Sequence, residues 1–88
     1  MKVRIEVITA PGCKKCARVP SELRAVAVSV FGEDNFVWRE VNVLKELDYA
    51  VTLGVLTTPA IAVNGELRFP SLPTAEQFRG VLLNLAQH

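Results

Sequence analysis

The sequence is poor in the residues that build disulfide scaffolds and metal centres. Its 88 residues include two cysteines and one histidine, too few for a fold held by several disulfides or for a complete Cys/His zinc site in one chain. No apolar run approaches the ~18 residues that a membrane-spanning helix needs. Met1–Ala10 alternates charged and apolar residues, unlike a signal peptide. We therefore expect no membrane partner and a cytoplasmic location.

The charge is nearly balanced and gives no sign of a nucleic-acid partner. Ten Lys and Arg stand against nine Asp and Glu, so the net charge is +1. A protein held on nucleic acid by phosphate contacts carries a broad excess of positive charge. Hydrophobic residues make up 50% of the chain, enough for a small core. We expect one folded domain over residues 1–88, and a monomer.

Apolar periodicity divides the chain into seven elements. Two-residue alternation, a short apolar run and the hairpin signal Asn64-Gly65 predict four strands. These strands are Lys2–Thr9, Asn35–Val41, Ala60–Val63 and Glu66–Phe69. Helical spacing predicts a helix over Cys13–Phe31, with a kink or restart at Pro20, and two later ones. The order is βαβαββα, an α/β fold with a four-stranded mixed sheet flanked by three helices.

The second and third helices are predicted with their ends. The second follows an N-cap at Asn42 and ends near Leu53, before Gly54. Its apolar spacing is marked by Leu44, Leu47, Ala50 and Val51. The third helix begins after Thr74, where Gln77 three residues later completes a capping-box pattern.

The segment Cys13-Lys14-Lys15-Cys16 carries the strongest chemical signal. It follows the Pro11-Gly12 break at the start of a helix, where free backbone N–H groups and the helix dipole stabilise a thiolate by about 0.3–2 kcal/mol. The two lysines and the nearby Arg18 act in the same direction on the pKa of Cys13. One helical turn separates the two sulfurs, so they can join without unwinding the helix.

This arrangement predicts thiol–disulfide exchange. A low-pKa thiolate attacks a disulfide, and a neighbouring thiol then resolves the mixed disulfide. Cys13, at the exposed helix end, is the expected attacker, and Cys16, on the apolar stripe of the helix, is the expected resolving thiol. Two alternatives stay open. The cysteines could belong to a metal or iron–sulfur site shared between two subunits, or they could be plain core residues, which the charged Lys14-Lys15 between them disfavours.

The chain resembles the thioredoxin/glutaredoxin superfamily along its whole length. The resemblance rests on the Cys13-Lys14-Lys15-Cys16 segment after the first strand, on Thr58-Pro59 before a later strand, and on the βαβαββα order of a thioredoxin-like fold. It implies that Pro59 is cis and that the backbone of Thr58 pairs with an incoming substrate chain as an added strand. It also implies a substrate site that includes Gly12, Lys14, Lys15, Thr58 and Pro59.

The sequence departs from both branches of this superfamily. Thioredoxins carry a buried acid on the strand before the cysteines, whereas here Val7 and Thr9 are the expected inward positions and Glu6 is expected to face outward. Glutaredoxins carry a Gly-Gly-Asp-like turn after the hairpin that helps to hold glutathione. This chain has Arg68-Phe69-Pro70-Ser71-Leu72-Pro73 there. Glutathione use stays an alternative, with Lys14, Lys15 and Arg18 available to its carboxylates.

The resemblance implies a thiol–disulfide oxidoreductase of the small glutaredoxin-like or thioredoxin-like kind. Its catalytic residues would be Cys13 and Cys16, and it would need no bound cofactor. Its partners would be disulfide-containing proteins and, as electron donor, a reductase or a low-molecular-weight thiol.

Overall fold

The chain forms four strands and three helices in a computed structural model that describes residues 2–12 and 19–86. The strands are β1 (Val3–Thr9), β2 (Phe36–Asn42), β3 (Ala60–Val63) and β4 (Glu66–Phe69). The helices are α1 (Val19–Phe31), α2 (Leu47–Leu53) and α3 (Ala75–Ala86). The βαβαββα order expected from the sequence is confirmed, and no predicted strand is off by more than one residue at either end.

The strands form one mixed sheet in the order β2-β1-β3-β4. β1 runs parallel to β2, with Glu6 beside Arg39, and antiparallel to β3, with Val7 beside Ile61. β3 and β4 form the predicted hairpin. Asn64 and Gly65 take φ of 53° and 82° at its turn, the positive values that a two-residue type I′ turn requires.

The face of the sheet that α1 and α3 cover holds the larger core. Alternate strand residues point into it from β1 and β3, together with one buried stripe from each helix. Its buried members are Ile5, Val7, Leu23, Val26, Ala27, Phe36, Ile61, Val63, Phe78 and Leu82. Phe78 stands at its centre and makes edge-to-face contacts with Trp38 and Phe69, at centroid distances of 6.4 and 5.9 Å. This core therefore ties both helices to the sheet.

The opposite face, below α2, holds a smaller core. Its fully buried members are Ile8, Val41, Ala60 and Ala62, with Val43, Tyr49, Leu53, Val55 and Leu67 partly buried against them. β1 contributes to both cores, and its residues 5–8 are all buried, as befits a central strand covered on both sides.

α2 is shorter than predicted, and the side of the helix that faces the sheet is not the one that its apolar spacing predicted. Asn42 does not cap the helix. Its Oδ1 accepts from the backbone N–H of Leu44 (2.9 Å), so it organises the turn that leads to α2. The residue at the N-cap is Glu46, which makes no side-chain capping hydrogen bond. Leu44, Leu47 and Val51, whose spacing predicted the helix, are 54–68% exposed. The inner side of α2 is formed instead by the buried Ala50 and by Tyr49 and Leu53, which pack against the smaller core.

The other predicted helix ends agree with the structure. Gly54 closes α2 in the left-handed conformation with φ of 86°. The capping box at α3 forms: the N–H of Gln77 donates to Thr74 Oγ1 at 3.1 Å, and the N–H of Thr74 donates to Gln77 Oε1 at 3.0 Å. The kink or restart expected at Pro20 depends on residues 13–18 and lies outside the described residues. No described helix is long and apolar enough to cross a membrane.

Candidate functional site

The predicted redox pair falls in the part of the chain that the structure does not describe. Cys13, Lys14, Lys15 and Cys16 lie within residues 13–18. Their roles therefore stay predictions. The residues on either side of them, and the loops that share their edge of the sheet, are described and define the surroundings of the candidate site.

Three chain segments meet at one edge of the sheet. β1 and β2 are parallel, so their carboxyl ends lie together, with Thr9 beside Asn42. β3 runs the other way and places Ala60, its first residue, beside Ile8 near the end of β1. The segment that follows β1 and the segment that precedes Ala60 therefore leave the sheet at the same edge. The first leads to residues 13–18, and the second contains Thr58 and Pro59.

Gly12 is the last described residue before the cysteine segment. It is exposed, it takes φ of 77°, and a Cβ built on it would meet nothing within 4 Å. Glycine suits this position because of the backbone angle and not because space is short. Its predicted contact with substrate is not tested by the structure.

The Thr58–Pro59 peptide bond is cis, as the resemblance implied. Pro59 is buried and Thr58 is partly buried. Among the hydrogen bonds that the described residues form outside helices and strands, none uses the backbone of Thr58. The predicted role of this backbone in pairing with a substrate remains a prediction.

The segment Val55–Thr58 is held at both ends. On one side the N–H of Val55 donates to Ala50 O of α2 at 3.1 Å. On the other side Thr57 Oγ1 donates to Pro70 O at 3.1 Å. These bonds connect the segment to α2 and to the loop after β4.

One exposed leucine lies within this segment, and another lies in the loop after β4 to which Thr57 is bonded. Leu56, next to Thr57, is 94% exposed, and Leu72, two residues after Pro70, is 46% exposed. No sequence pattern singles out Leu56, because one apolar residue between two turns has no periodicity to interpret. Its exposure beside Thr58 makes it a candidate contact for an apolar group of a substrate.

Glu6 corrects one expectation from the sequence. It was expected to face outward, but only 2% of its surface is exposed, and it is the one buried charged residue among those that the structure describes. Two-residue alternation made it look solvent-facing because the neighbouring Ile5 and Val7 clearly point into a core. Since α2 covers the other face of β1, the alternate residues of this central strand are buried as well.

Both carboxylate oxygens of Glu6 are hydrogen bonded. Oε2 accepts from Nε and Nη2 of Arg39 at 3.1 and 2.9 Å, and Oε1 accepts from the hydroxyl of Tyr49. Arg39 also donates through Nη1 to Glu46, and its guanidinium lies 5.7 Å from the centroid of the Tyr49 ring. We call these four residues, Glu6, Arg39, Glu46 and Tyr49, the polar cluster. It joins β1, β2 and the start of α2.

The polar cluster changes the acidity of two of its members. The hydrogen bond with Glu6, then the one with Glu46, raises the pKa of the Arg39 guanidinium. The hydrogen bond with Glu6, followed by burial and the charge of Glu6, raises the pKa of the Tyr49 hydroxyl above its ordinary value of 10.0. Both shifts favour the protonated forms of Arg39 and Tyr49, in which each side chain donates a hydrogen bond to Glu6.

Glu6 lies on the face of β1 opposite to the one that α1 covers. It shares a face of β1 with Ile8, which belongs to the core below α2. Val7 lies on the opposite face, which α1 covers, and belongs to the larger core. The face of β1 toward the helix that follows the cysteines therefore presents Val7, as expected from the sequence.

Comparison with known proteins gives a consistent result. The family described as thioredoxin domain matches residues 2–83. A probable thioredoxin of Methanothermobacter thermautotrophicus is 34% identical over 79 residues, which cover 88% of each chain. A thioredoxin of Methanocaldococcus jannaschii is 31% identical over 75 residues, which cover 85% of this chain and 86% of the relative.

A solved structure supports the same assignment. A protein disulfide oxidoreductase from Aeropyrum pernix K1 superposes with a TM-score of 0.81 at 28% identity, over 98% of this chain. This chain spans only 38% of that longer one. The sheet order, the cis Thr58–Pro59 bond and these relatives agree. The chain belongs to the thioredoxin family and is a thiol–disulfide oxidoreductase.

Proposed function

We propose that Cys13 and Cys16 form the redox pair and that the protein reduces or exchanges disulfides of other polypeptides. The Cys13 thiolate attacks one sulfur of the substrate disulfide, which forms a mixed disulfide and releases the other substrate sulfur as a thiolate. The Cys16 thiolate then attacks the Cys13 sulfur and releases the second substrate thiol. Two electrons pass to the substrate, and the pair becomes a disulfide.

The shared sheet edge supports this proposal. The chain enters the cysteine segment from Gly12 at the edge where Thr58 and Pro59 also lie. A substrate bound along Thr58 as an added strand would be held close to Cys13. The single observation that carries the proposal is this convergence of the segment after β1 and the segment before β3.

The described surroundings favour a polypeptide as substrate. Leu56, two residues before Thr58, and Leu72, in the loop bonded to Thr57, are exposed apolar side chains, and a polypeptide can use both, whereas a small polar disulfide cannot. Lys14 and Lys15 are proposed to contact the substrate as well. Among residues 2–12 and 19–86, no three His, Cys, Asp or Glu side chains cluster as metal ligands.

The remaining elements of the proposal are the electron donor, the location and the oligomeric state. Two electrons must return to the Cys13–Cys16 disulfide after each turnover, from a reductase or from a low-molecular-weight thiol. A cytoplasmic location suits a reducing role. We propose that residues 1–88 act as a single domain and as a monomer, and glutathione remains the alternative thiol.

Reduction of insulin disulfides by the purified protein, with dithiothreitol as electron donor, tests the proposal. We expect the parent to be active, Cys13→Ser to be inactive, and Cys16→Ser to accumulate a mixed disulfide that mass spectrometry detects. Ser29→Ala, which removes a hydroxyl that bonds to Val26 O within α1, is the matched control and should keep full activity. Equal activity of the parent and both cysteine variants would refute the proposal.

A further inference from the structure

α2 is attached to the sheet by polar groups as well as by apolar packing, in which Tyr49 and Leu53 lie against the smaller core. Its apolar residues Leu47 and Val51 are 54% and 68% exposed, and within α2 only Ala50 is buried. The hydroxyl of Tyr49 reaches across to Glu6 on β1. Immediately before the helix, Glu46 accepts from Arg39 of β2 at 3.0 Å. A seven-residue helix is too short to be stable by itself, so the two polar contacts and the packing of Leu53 against the smaller core together set where it lies.

The buried carboxylate of Glu6 is the acceptor on which this attachment depends. Because it is buried, its carboxylate needs a donor at each oxygen, and every lost donor leaves an uncompensated polar atom. Arg39 can satisfy only Oε2 in the observed arrangement. Tyr49 alone satisfies Oε1 among the described residues. The position of Tyr49, and with it α2, is therefore tightly determined.

α2 in turn determines the position of the segment that precedes Pro59. The N–H of Gly54 donates to Ala50 O and Val51 O at 3.1 and 3.0 Å, and the N–H of Val55 donates to the same Ala50 O at 3.1 Å. Only three residues then separate Val55 from Pro59. A shift of α2 along or away from the sheet would carry Val55 with it, and so displace Thr58.

We propose that Glu6 and Tyr49 are positioning residues for polypeptide substrates, acting through α2 on the segment Val55–Thr58. The proposal rests on the function proposed above, in which Thr58 pairs with the substrate backbone. The two residues touch neither the substrate nor the reacting sulfurs. They act by holding the Thr58 backbone where an extended chain can bind with its disulfide at Cys13, since a displacement of about 1 Å in such a site costs on the order of 100-fold in rate.

The test compares two substrates in the full-length protein. In the proposed function insulin pairs with the backbone of Thr58, whereas bis(2-hydroxyethyl) disulfide has no backbone to pair. The variants Tyr49→Phe and Glu6→Gln remove one donor or the charge and keep the shape of the side chain. The matched controls are Thr52→Val, which removes a hydroxyl bonded within α2, and Glu66→Gln, which removes an exposed carboxylate on β4.

The expected result is a loss of selectivity. In Tyr49→Phe and Glu6→Gln, the ratio of kcat/KM for insulin to kcat/KM for the small disulfide falls by on the order of tenfold, and amide hydrogen exchange at Val55 accelerates. Both controls keep the parent ratio. This ratio cancels any loss of folded protein, which lowers both rates together, so it separates positioning from a general structural effect.

Two results would overturn the inference while leaving the proposed function intact. One is an unchanged ratio in both variants, and the other is a parallel fall of both rates. In either case the parent is active and Cys13→Ser is not. If the parent reduces neither substrate, or if Cys13→Ser stays active, the proposed function fails and the inference fails with it.

Discussion

The two faces of the sheet are covered by side chains of different polarity. The face below α1 and α3 is apolar throughout, with Phe78 surrounded by aromatic and aliphatic side chains. The face below α2 combines a small core, of which Ala60 and Ala62 form half of the fully buried part, with the polar cluster around Glu6. The apolar packing below α1 and α3 has no fixed direction. The polar cluster below α2 depends on a few hydrogen bonds whose direction is fixed.

This difference shows what each face contributes. Non-directional apolar burial supplies most of the free energy of folding, and the larger core has far more of it. Hydrogen bonds to a buried carboxylate contribute less net stability, but they tolerate little displacement. The larger core therefore keeps the domain folded, and the polar cluster fixes the placement of α2 and of the segment before Pro59.

Truncation of Phe78 gives the largest effect and tests the first half of the comparison. Phe78 is fully buried, so Phe78→Ala leaves a cavity and loses the ring contacts with Trp38 and Phe69. We expect a loss of about 3–5 kcal/mol in the free energy of unfolding, measured by urea denaturation. Leu83→Ala on the exposed side of α3, where Leu83 is 45% exposed, should cost far less. Equal losses would show that α3 does not anchor the larger core.

Removal of the Glu6 carboxylate gives an intermediate effect and tests the second half. Glu6→Ala leaves Tyr49 without its acceptor and releases Arg39, but the half-exposed Arg39 can turn to water, so the cost stays below that of an isolated buried charge. We expect a loss of about 2 kcal/mol by urea denaturation, in line with one hydrogen-bonded charged group.

Glu66→Ala is the matched control for Glu6→Ala. The Glu66 side chain is 74% exposed and lies 3.8 Å from Arg68, so its loss should change stability by less than about 0.5 kcal/mol. If Glu6→Ala costs as much as Phe78→Ala, the two faces contribute alike to stability, and the division of roles between them is wrong.

The sequence predicts the fold well because most elements have unambiguous local signals. β1 alternates, the Asn64-Gly65 pair demands a tight hairpin, and Thr74 with Gln77 forms the capping box that the spacing announces. α2 is different. Its apolar spacing indicates a helix correctly, but periodicity cannot say which side of a short helix meets the sheet.

The candidate site is less predictable, because its members are brought together only by the fold. Glu6 looks exposed until α2 is known to cover it, and its contacts come from residues 33 and 43 positions away in the sequence. One signal was available: parallel pairing of the first two strands sets Glu6 beside Arg39, a pair of opposite charges on adjacent strands. The exposure of Leu56 had no such signal.

The pH dependence of Tyr49 gives the smallest effect and examines the polar cluster in the intact protein. The hydrogen bond with Glu6 raises the pKa of the Tyr49 hydroxyl above its ordinary value of 10.0 in the folded state. Below pH 10.0 the folded and the unfolded states both hold the hydroxyl proton, so the full stabilisation by this hydrogen bond is present. As the pH rises further, the unfolded chain releases the proton first, so the folded state loses stability up to the raised pKa. We expect the advantage of the parent over Tyr49→Phe, about 1 kcal/mol near neutral pH, to shrink in this alkaline range.

The chain contains a single tyrosine, so the ultraviolet absorbance of tyrosinate reports on Tyr49 alone. The native protein should titrate above pH 10.0, and urea should return the midpoint to its ordinary value. Glu6→Gln removes the neighbouring charge and should lower the native midpoint. A native midpoint at or below the ordinary value would mean that Tyr49 does not donate to Glu6 in solution, and this bond would then contribute nothing to the attachment of α2.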